Sequence, residues 1–337
     1  MADIRVATQK EYVVRVRENA ADLGCIAART AGRKVAIVTD DNVAPLYADE
    51  VAEAVGAACT LIIPHGEAHK GPKEYVDILN RLAEDDFGRR DCVIALGGGV
   101  VGDLAGFAAA TYMRGIGFIN VPTSLLAMVD SAVGGKTAIN IDYGKNLCGA
   151  FYQPEEVYIN TSYLSTLPAR EMMCGWGEIL KYAFLAPDVG WEDIAGDVTP
   201  RLIAKCVRYK ADIVEADERE QAGVRQLLNL GHTVGHAVER LSHFALSHGE
   251  CVVKGMAAVL EMSRRYYDLP ADVYARALSI LQCKGHDLSI PYDKASILVE
   301  IRKDKKSNAE GCDMVLIDSN GRGKVQYLRY DEIEELL

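Results

Sequence analysis

The chain has 337 residues, 49% hydrophobic and 25% charged, with a net charge of −11. That is the composition of a globular protein of about two domains at roughly 150 residues each, long enough to bury a core without covalent staples. The acidic balance argues against nonspecific nucleic-acid or anionic-membrane binding, because phosphate backbones would be repelled; a small phosphorylated ligand sees only its own pocket.

The opening "MADIRVATQKEYVVRVREN" is charged from Asp3 onward, which is not the pattern of a signal peptide. Apolar-periodic segments then alternate with short apolar runs. "KVAIVT" (34–39) is a strand, "APLYADEVAEAVG" a helix, "CTLIIP" (59–64) a strand and "KEYVDILNRLAEDD" a helix. "CVIAL" (92–96), a glycine loop, "DLAGFAAATYM" and "GFINVP" (117–122) close the series. Strands that are continuously apolar rather than alternating belong to a parallel sheet covered on both faces. Residues 1–168 are therefore expected to form a Rossmann-like α/β domain.

From "PAREMMCGWGEILKYAFL" (168–185) onward, segments of 10–20 residues carry helically spaced apolar positions. Pro168 suits a helix start. "TPRLIAKCVRYKADIVEADERE" and "GECVVKGMAAVLEMSRRYYD" both read as helices. "CDMVLIDSNGRGKVQYL" reads as a hairpin turning at Asn320-Gly321. Residues 169–337 are expected to form a mainly helical second domain, with the active site in a cleft between the two. The nine cysteines include no CxxC and read as reduced thiols of a cytoplasmic protein. No run of about 18 uncharged apolar residues spans a membrane.

Three patterns carry chemistry. "LGGGVVGD" contains GxGxxG (Gly97, Gly99, Gly102) between a strand and a helix, where backbone amides and the helix N-terminus favour a phosphate. It follows the third strand of the series rather than the first, and no acidic residue stands about 20 positions on, so a tight structural turn is an equal reading. "TDDNV" (39–43) adds Asp40 and Asn42, where a ribose or adenine could sit. Second, "YMRG", "PTSLLAMVDSAVGGKTAIN" and "GKNL" bring together Arg114, Thr123, Ser124, Asp130, Lys136, Asn140, Lys145 and Asn146, an anion pocket or a solvated loop. Asp130 among apolar neighbours needs a partner, and Lys136 is the expected one.

Third, "LNLGHTVGHAVERLSHFALSHGE" (228–250) holds His232, His236, His243 and His248. The first two share a helix face about 6 Å apart, but lack the glutamate of HExxH. His248 opens another helix. A catalytic zinc takes three protein ligands and keeps one position open. Glu178 in "GWGEILKYA" is a candidate third ligand, flanked by small residues that permit close approach. A surface carboxylate is the alternative.

These stretches, with "GKNLCGAFYQP" and "DKK" (304–306), occur in the order and approximate spacing of the 3-dehydroquinate synthases of the sugar-phosphate cyclase superfamily, which the chain resembles over about residues 35 to 306. The resemblance implies a NAD- and metal-dependent carbon–oxygen lyase of the shikimate pathway, using zinc or cobalt. It implies the substrate 3-deoxy-D-arabino-heptulosonate 7-phosphate and the products 3-dehydroquinate and phosphate. By resemblance, Glu178, His232 and His248 are the metal ligands and His236 lies near the phosphate. NAD contacts fall on Asp40, Asn42, Glu67, Lys70, Gly98, Gly99, Gly102, Asp103, Thr123, Ser124, Lys136, Lys145 and Thr166. Substrate contacts fall on Asp130, Lys136, Lys145, Asn146, Lys181, Lys210, Arg225, Asn229, His236 and a lysine of "DKK", Lys305 or Lys306. Asp130, Lys136, Lys181, Asn229 and His236 are the implied catalytic groups. Arg114 resembles an arginine that reaches a neighbouring subunit's site, implying a homodimer. Two departures stand out: the run before Arg225 is one residue longer than usual, and Ser124 replaces the common threonine. Another sugar-phosphate cyclase, or a metal-dependent polyol dehydrogenase of the same layout, is the alternative; the dehydrogenase would accumulate NADH, the cyclase would not.

Overall fold

A computed structural model describes residues 1–18, 23–303 and 310–337. In chain order the strands are β1 (Ala2–Val6), β2 (Tyr12–Arg17), β3 (Val35–Asp40), β4 (Cys59–Ile63), β5 (Cys92–Gly97), β6 (Gly117–Pro122), β7 (Lys136–Ile141), β8 (Gly144–Phe151), β9 (Glu156–Asn160), β10 (Gly311–Ile317) and β11 (Gly323–Arg329). The helices are α1 (Gly24–Thr30), α2 (Asp49–Val55), α3 (Pro72–Glu84), α4 (Gly99–Thr111), α5 (Ala169–Leu185), α6 (Trp191–Ala195), α7 (Pro200–Ala216), α8 (His232–Leu241), α9 (His248–Tyr267), α10 (Ala271–Gln282), α11 (Lys294–Arg302) and α12 (Tyr330–Leu336). None of the described helices is long and apolar enough to cross a membrane.

The chain divides into two compact units, Met1–Leu167 with Thr199–Arg219, and Pro168–Val198 with Glu220–Leu337. The segment Thr199–Arg219 lies inside the span expected for the second domain, yet groups with the first. Its helix α7 buries Leu202, Ile203, Cys206, Val207, Ala211 and Val214 and packs on β1, β2 and residues 127–131. Arg208 Nη1 donates to the Arg5 carbonyl at 2.8 Å, and Glu215 Oε1 accepts from the Ala7 amide at 3.2 Å. An apolar helix face is covered wherever tertiary contacts allow, and sequence neighbourhood does not decide where.

The first unit holds a seven-stranded sheet in the order β1-β2-β9-β6-β5-β3-β4. All neighbours pair in parallel except β1 and β2, which are antiparallel. Every residue of β5 and β6 is buried, which is why these strands are uniformly apolar. From β3 the chain moves outward to β4, then returns to the other side of β3 for β5. The strand order therefore reverses between β3 and β5, and ligands of open α/β sheets bind beyond the carboxyl ends of strands at such a switch point. The glycine loop follows β5 and Asp40 ends β3, so the loop's position after the third strand of the series is the position that the sheet order favours.

Residues 136–151 form the β7–β8 hairpin, where mixed polar and apolar positions hide the strand period. In the second unit α5 begins after Pro168 as expected. The β10–β11 hairpin turns through Asp318–Arg322, with Gly321 at φ 75°. The hairpin is tied to α9 where the Ile317 amide donates to Ser263 Oγ at 2.8 Å.

Candidate functional site

The second unit's site rests on glycines. A Cβ on Gly177 of α5 would lie 2.5 Å from the Gly249 carbonyl oxygen, and one on Gly249 would lie 2.0 Å from the Cys174 carbonyl oxygen. A Cβ on Gly255 of α9 would lie 1.9 Å from the Gly231 carbonyl oxygen. One on Gly235 would stand 2.8 Å from the Cys251 carbonyl oxygen. Helices α5, α8 and α9 thus meet backbone to backbone. Glu178, His232 and His248 each neighbour one of these glycines, so close approach delivers the three side chains to one point.

Glu178 Oε1 lies 3.3 Å from His232 Nε2 and 3.2 Å from His248 Nε2. All three candidate ligand atoms lie within 4.8 Å of one another. Tetrahedral coordination with bonds of about 2.0–2.1 Å separates ligand atoms by roughly 3.3 Å, so these spacings fit one zinc-sized ion. His232 Nδ1 sits 3.1 Å from the Leu230 carbonyl. Donation there leaves the Nε2 lone pair facing Glu178, the outer contact that ligating histidines require. Glu178 Oε2 is held by Lys181, and both side chains are 1% exposed. A nitrogen, nitrogen and oxygen donor set, with one carboxylate oxygen already fixed, suits a divalent metal.

The charges are coupled. Burial pushes His232 down to about 4, so it stays neutral. Burial also opposes a charge on His248, but the Glu178 and Glu239 carboxylates outweigh it and raise that ring to about 10. Glu178 itself is held well below the usual carboxylate range by Lys181 and His232, against its burial. His236 stands edge-on to His232 at 5.4 Å between ring centroids and 5.9 Å from His248. Arg225 is buried, with Glu220 3.7 Å away, and Asn229 ends the short turn Val224–Asn229. His243 lies beyond the end of α8 with φ 50°.

In the first unit the glycine loop opens α4 at Gly99. A Cβ on Gly102 would lie 3.2 Å from Asn120 Nδ2 of β6, the close helix–strand packing that such loops need. Gly98 faces Ser124 Oγ, and Gly99 faces Ser131 Oγ. Thr123 is buried, and its amide donates to the Gly97 carbonyl at 2.9 Å. Lys70 Nζ reaches Asp103 Oδ2 at 2.5 Å and Asn146 Oδ1 at 2.6 Å. Asn140 extends this network. Its Oδ1 accepts from the Asn146 amide at 3.0 Å and its Nδ2 donates to Glu67 Oε1 at 2.8 Å. Burial pushes the Asp103 carboxyl up, against the pull of Lys70. Asn140 is a linking residue whose role was hidden, because its partners lie 6 and 73 positions away.

Asp40 Oδ1 accepts from the Asn42 and Val43 amides at 3.0 and 2.9 Å, fixing its own loop. Thr166 Oγ1 meets Tyr47 Oη at 2.5 Å. Asp130 lies in the wide helical turn Ala127–Ser131. Lys210 of α7 is set against it, with Nζ 2.9 Å from Asp130 Oδ1 and 2.6 Å from the Asp130 carbonyl. Lys210 is 80 positions away in sequence and arrives because α7 packs in the first unit. Lys136 opens β7 and is exposed, and Lys145 in β8 is half-buried. Met113 and Arg114 are consecutive left-handed residues, with φ 48° and 69°. Lys305 and Lys306 lie outside the described residues.

Known proteins resemble this chain over nearly its whole length. The family model for the 3-dehydroquinate synthase N-terminal region matches residues 60–174, and that for the C-terminal region matches residues 175–307. A 3-dehydroquinate synthase of Latilactobacillus sakei is 40% identical, over 96% of this chain and 94% of its own. One of Azotobacter vinelandii is 42% identical, over 89% of this chain and 86% of its own. Among solved structures, 2-deoxy-scyllo-inosose synthase with carbaglucose-6-phosphate, NAD+ and Co2+ superposes with a TM-score of 0.88 at 25% identity, covering 99% of this chain and 98% of that one. The 2-epi-5-epi-valiolone synthase of Streptomyces hygroscopicus with NAD+ and Zn2+ gives 0.83 at 25% identity, over 99% and 98%. A probable glycerol dehydrogenase of Sinorhizobium meliloti shares the fold, with a TM-score of 0.61 at 15% identity, over 95% and 94%.

Proposed function

The chain belongs to the 3-dehydroquinate synthase family, and from that premise we propose how its own residues divide the work of converting 3-deoxy-D-arabino-heptulosonate 7-phosphate into 3-dehydroquinate and phosphate. The enzyme is a cyclase of the lyase type, dependent on NAD and a divalent metal. When bound, NAD supplies a temporary hydride acceptor and the metal a Lewis acid for the carbinol being oxidised.

Glu178, His232 and His248 would hold the metal. The observation that carries this is the convergence of one carboxylate oxygen and two imidazole nitrogens at 3.2–3.3 Å on three helices. Lys181 anchors the unused oxygen of Glu178. The glycine loop, with Gly98, Gly99 and Gly102, presents backbone amides to the cofactor's phosphates, beside Thr123 and Ser124. Asp40, Asn42, Glu67, Lys70, Asp103, Lys136, Lys145 and Thr166 would complete the cofactor's contacts. Lys70 is already fixed by Asp103 and Asn146, so little side-chain entropy is lost when cofactor binds.

Asp130, Lys136, Asn146, Lys181, Lys210, Arg225, Asn229 and His236 would orient the substrate's hydroxyls, carboxylate and phosphate, with a lysine of Lys305 and Lys306 added. Arginine offers a planar fork to a carboxylate, and lysine a point charge to a phosphate. Asp130, Lys136, Lys181, Asn229 and His236 would stand nearest the reacting atoms. Residue pairing supports this reading in two places: Lys210 on Asp130, and His236 beside His232. We further propose a cytoplasmic homodimer in which Arg114 reaches a second copy. Two consecutive left-handed residues at 113 and 114 are a costly conformation of the kind kept at functional positions.

The test is an assay with the heptulosonate phosphate, NAD and Zn2+. Phosphate and dehydroquinate should appear together without NADH accumulating. Folded, metal-loaded protein that releases no phosphate, or that accumulates NADH, would sink the proposal.

A further inference from the structure

Glu239 is assigned to no role above, yet it lies seven positions after His232 and three after His236, on the same face of α8. Its carboxylate is largely buried, with 13% side-chain exposure, and its Oε2 lies 3.6 Å from His248 Nδ1. That is the reach of an ion pair, somewhat beyond a hydrogen bond. The other ring nitrogen of His248 is the one that faces Glu178 at 3.2 Å. The two histidines of the candidate metal centre are therefore held in different ways: His232 has a backbone carbonyl behind it at 3.1 Å, whereas His248 has a carboxylate. A carboxylate behind a metal-bound imidazole fixes its tautomer, fixes the ring plane and makes the ligand more basic.

We propose that Glu239 is the positioning residue of the metal centre, closing on His248 Nδ1–H when metal is bound and aiming Nε2 at the ion. This rests on His232, His248 and Glu178 being the ligands. A rival geometry exists on the same residues. His236, Glu239 and His248 also place one potential ligand atom each within 4.8 Å of one another, so Glu239 could instead ligate a second ion. The two geometries exclude each other at His248, because Nδ1–H cannot both donate to Glu239 and bind metal. The buried Glu239 carboxylate on α8 faces Nδ1 of His248 on α9 while Nε2 of the same ring faces Glu178, and that arrangement favours the positioning role.

The experiment measures zinc affinity and stoichiometry by competition with a chromophoric chelator, together with the visible spectrum of the Co2+-loaded protein. Glu239→Ala should keep one ion per chain, weaken zinc about 10–100-fold and alter the Co2+ spectrum. Glu239→Gln keeps an acceptor for Nδ1–H and should recover most of that loss. It also decides the matter if the alanine variant does not fold. His232→Ala is the control: if it binds zinc like the unmodified protein, the ligand assignment itself fails. If His232→Ala loses zinc while both Glu239 variants bind normally, only the positioning role is overturned. Two zinc ions per unmodified chain, falling to one in Glu239→Gln, would overturn it in favour of the second site.

Discussion

The two units hold their candidate functional side chains by different physical means. In the second unit, three helices touch through glycines, and Glu178, His232 and His248 inherit their positions from main-chain contact. In the first unit, hydrogen bonds link side chains: Lys70, Asp103, Asn146, Asn140 and Glu67 form a continuous chain across a loop, the start of α4 and the β7–β8 hairpin. Backbone contact cannot yield without moving a helix, because interiors are packed to crystal-like density. A side-chain network can rearrange one hydrogen bond at a time, which suits a site that must admit and release ligands.

The strongest way to break the first arrangement is Gly255→Ala. The added methyl would meet the Gly231 carbonyl at 1.9 Å and the Gly235 amide nitrogen at 2.7 Å. We expect a loss of about 3 kcal/mol or more in chemical denaturation, with weakened zinc binding. Unchanged stability would show that the helices are not locked by this contact.

Lys70→Met attacks the network instead. It strands the Asp103 carboxyl, whose acidity burial already opposes. Removing one partner of a buried pair costs about 3 kcal/mol. NAD affinity, read by fluorescence titration, should fall at least tenfold while zinc affinity stays the same. A parallel fall in zinc affinity would mean the two sites are not energetically separate.

Metal loading should also depend on pH, through the second unit alone. His248 is held up to about 10 in the metal-free protein, so it carries a proton at neutral pH; His232, down at about 4, does not. Binding must expel the His248 proton. Zinc affinity should rise about tenfold per pH unit between pH 6 and 9, and calorimetry in buffers of different ionisation enthalpy should count close to one proton released. A flat profile would mean that His248 is neutral before metal arrives.

Gly98→Ala should have the smallest effect on folding. Its Cβ would stand 3.3 Å from Ser124 Oγ, the end of a side chain that can turn away. Stability should change by less than about 1 kcal/mol, while NAD binding weakens because the methyl occupies space that phosphate needs. The contrast with Gly255→Ala measures directly how the units differ.

Much of this molecule is written locally. The continuous apolar runs at 92–96 and 117–122 dictate buried parallel strands. Pro168 starts α5, Asn320-Gly321 turns the last hairpin, and the glycine loop opens α4, because each depends on residues within one turn or one strand. The residue types alone left Glu178 open as a surface carboxylate, and the candidate ligand set came from the resemblance in motif order. Other facts depended on distant chain meeting in space. Lys210 came to face Asp130 because α7 packs on β1 and β2. The glycine loop fell at a sheet reversal because β4 and β5 flank β3. Glu239 came to face His248 because α8 and α9 approach through Gly231, Gly235 and Gly255. Sequence by itself determined which elements form and which chemistry they carry, through short-range sterics and burial pattern. Tertiary structure decided which charges face one another, because pairing between separate elements is chosen by packing, to which local periodicity is blind.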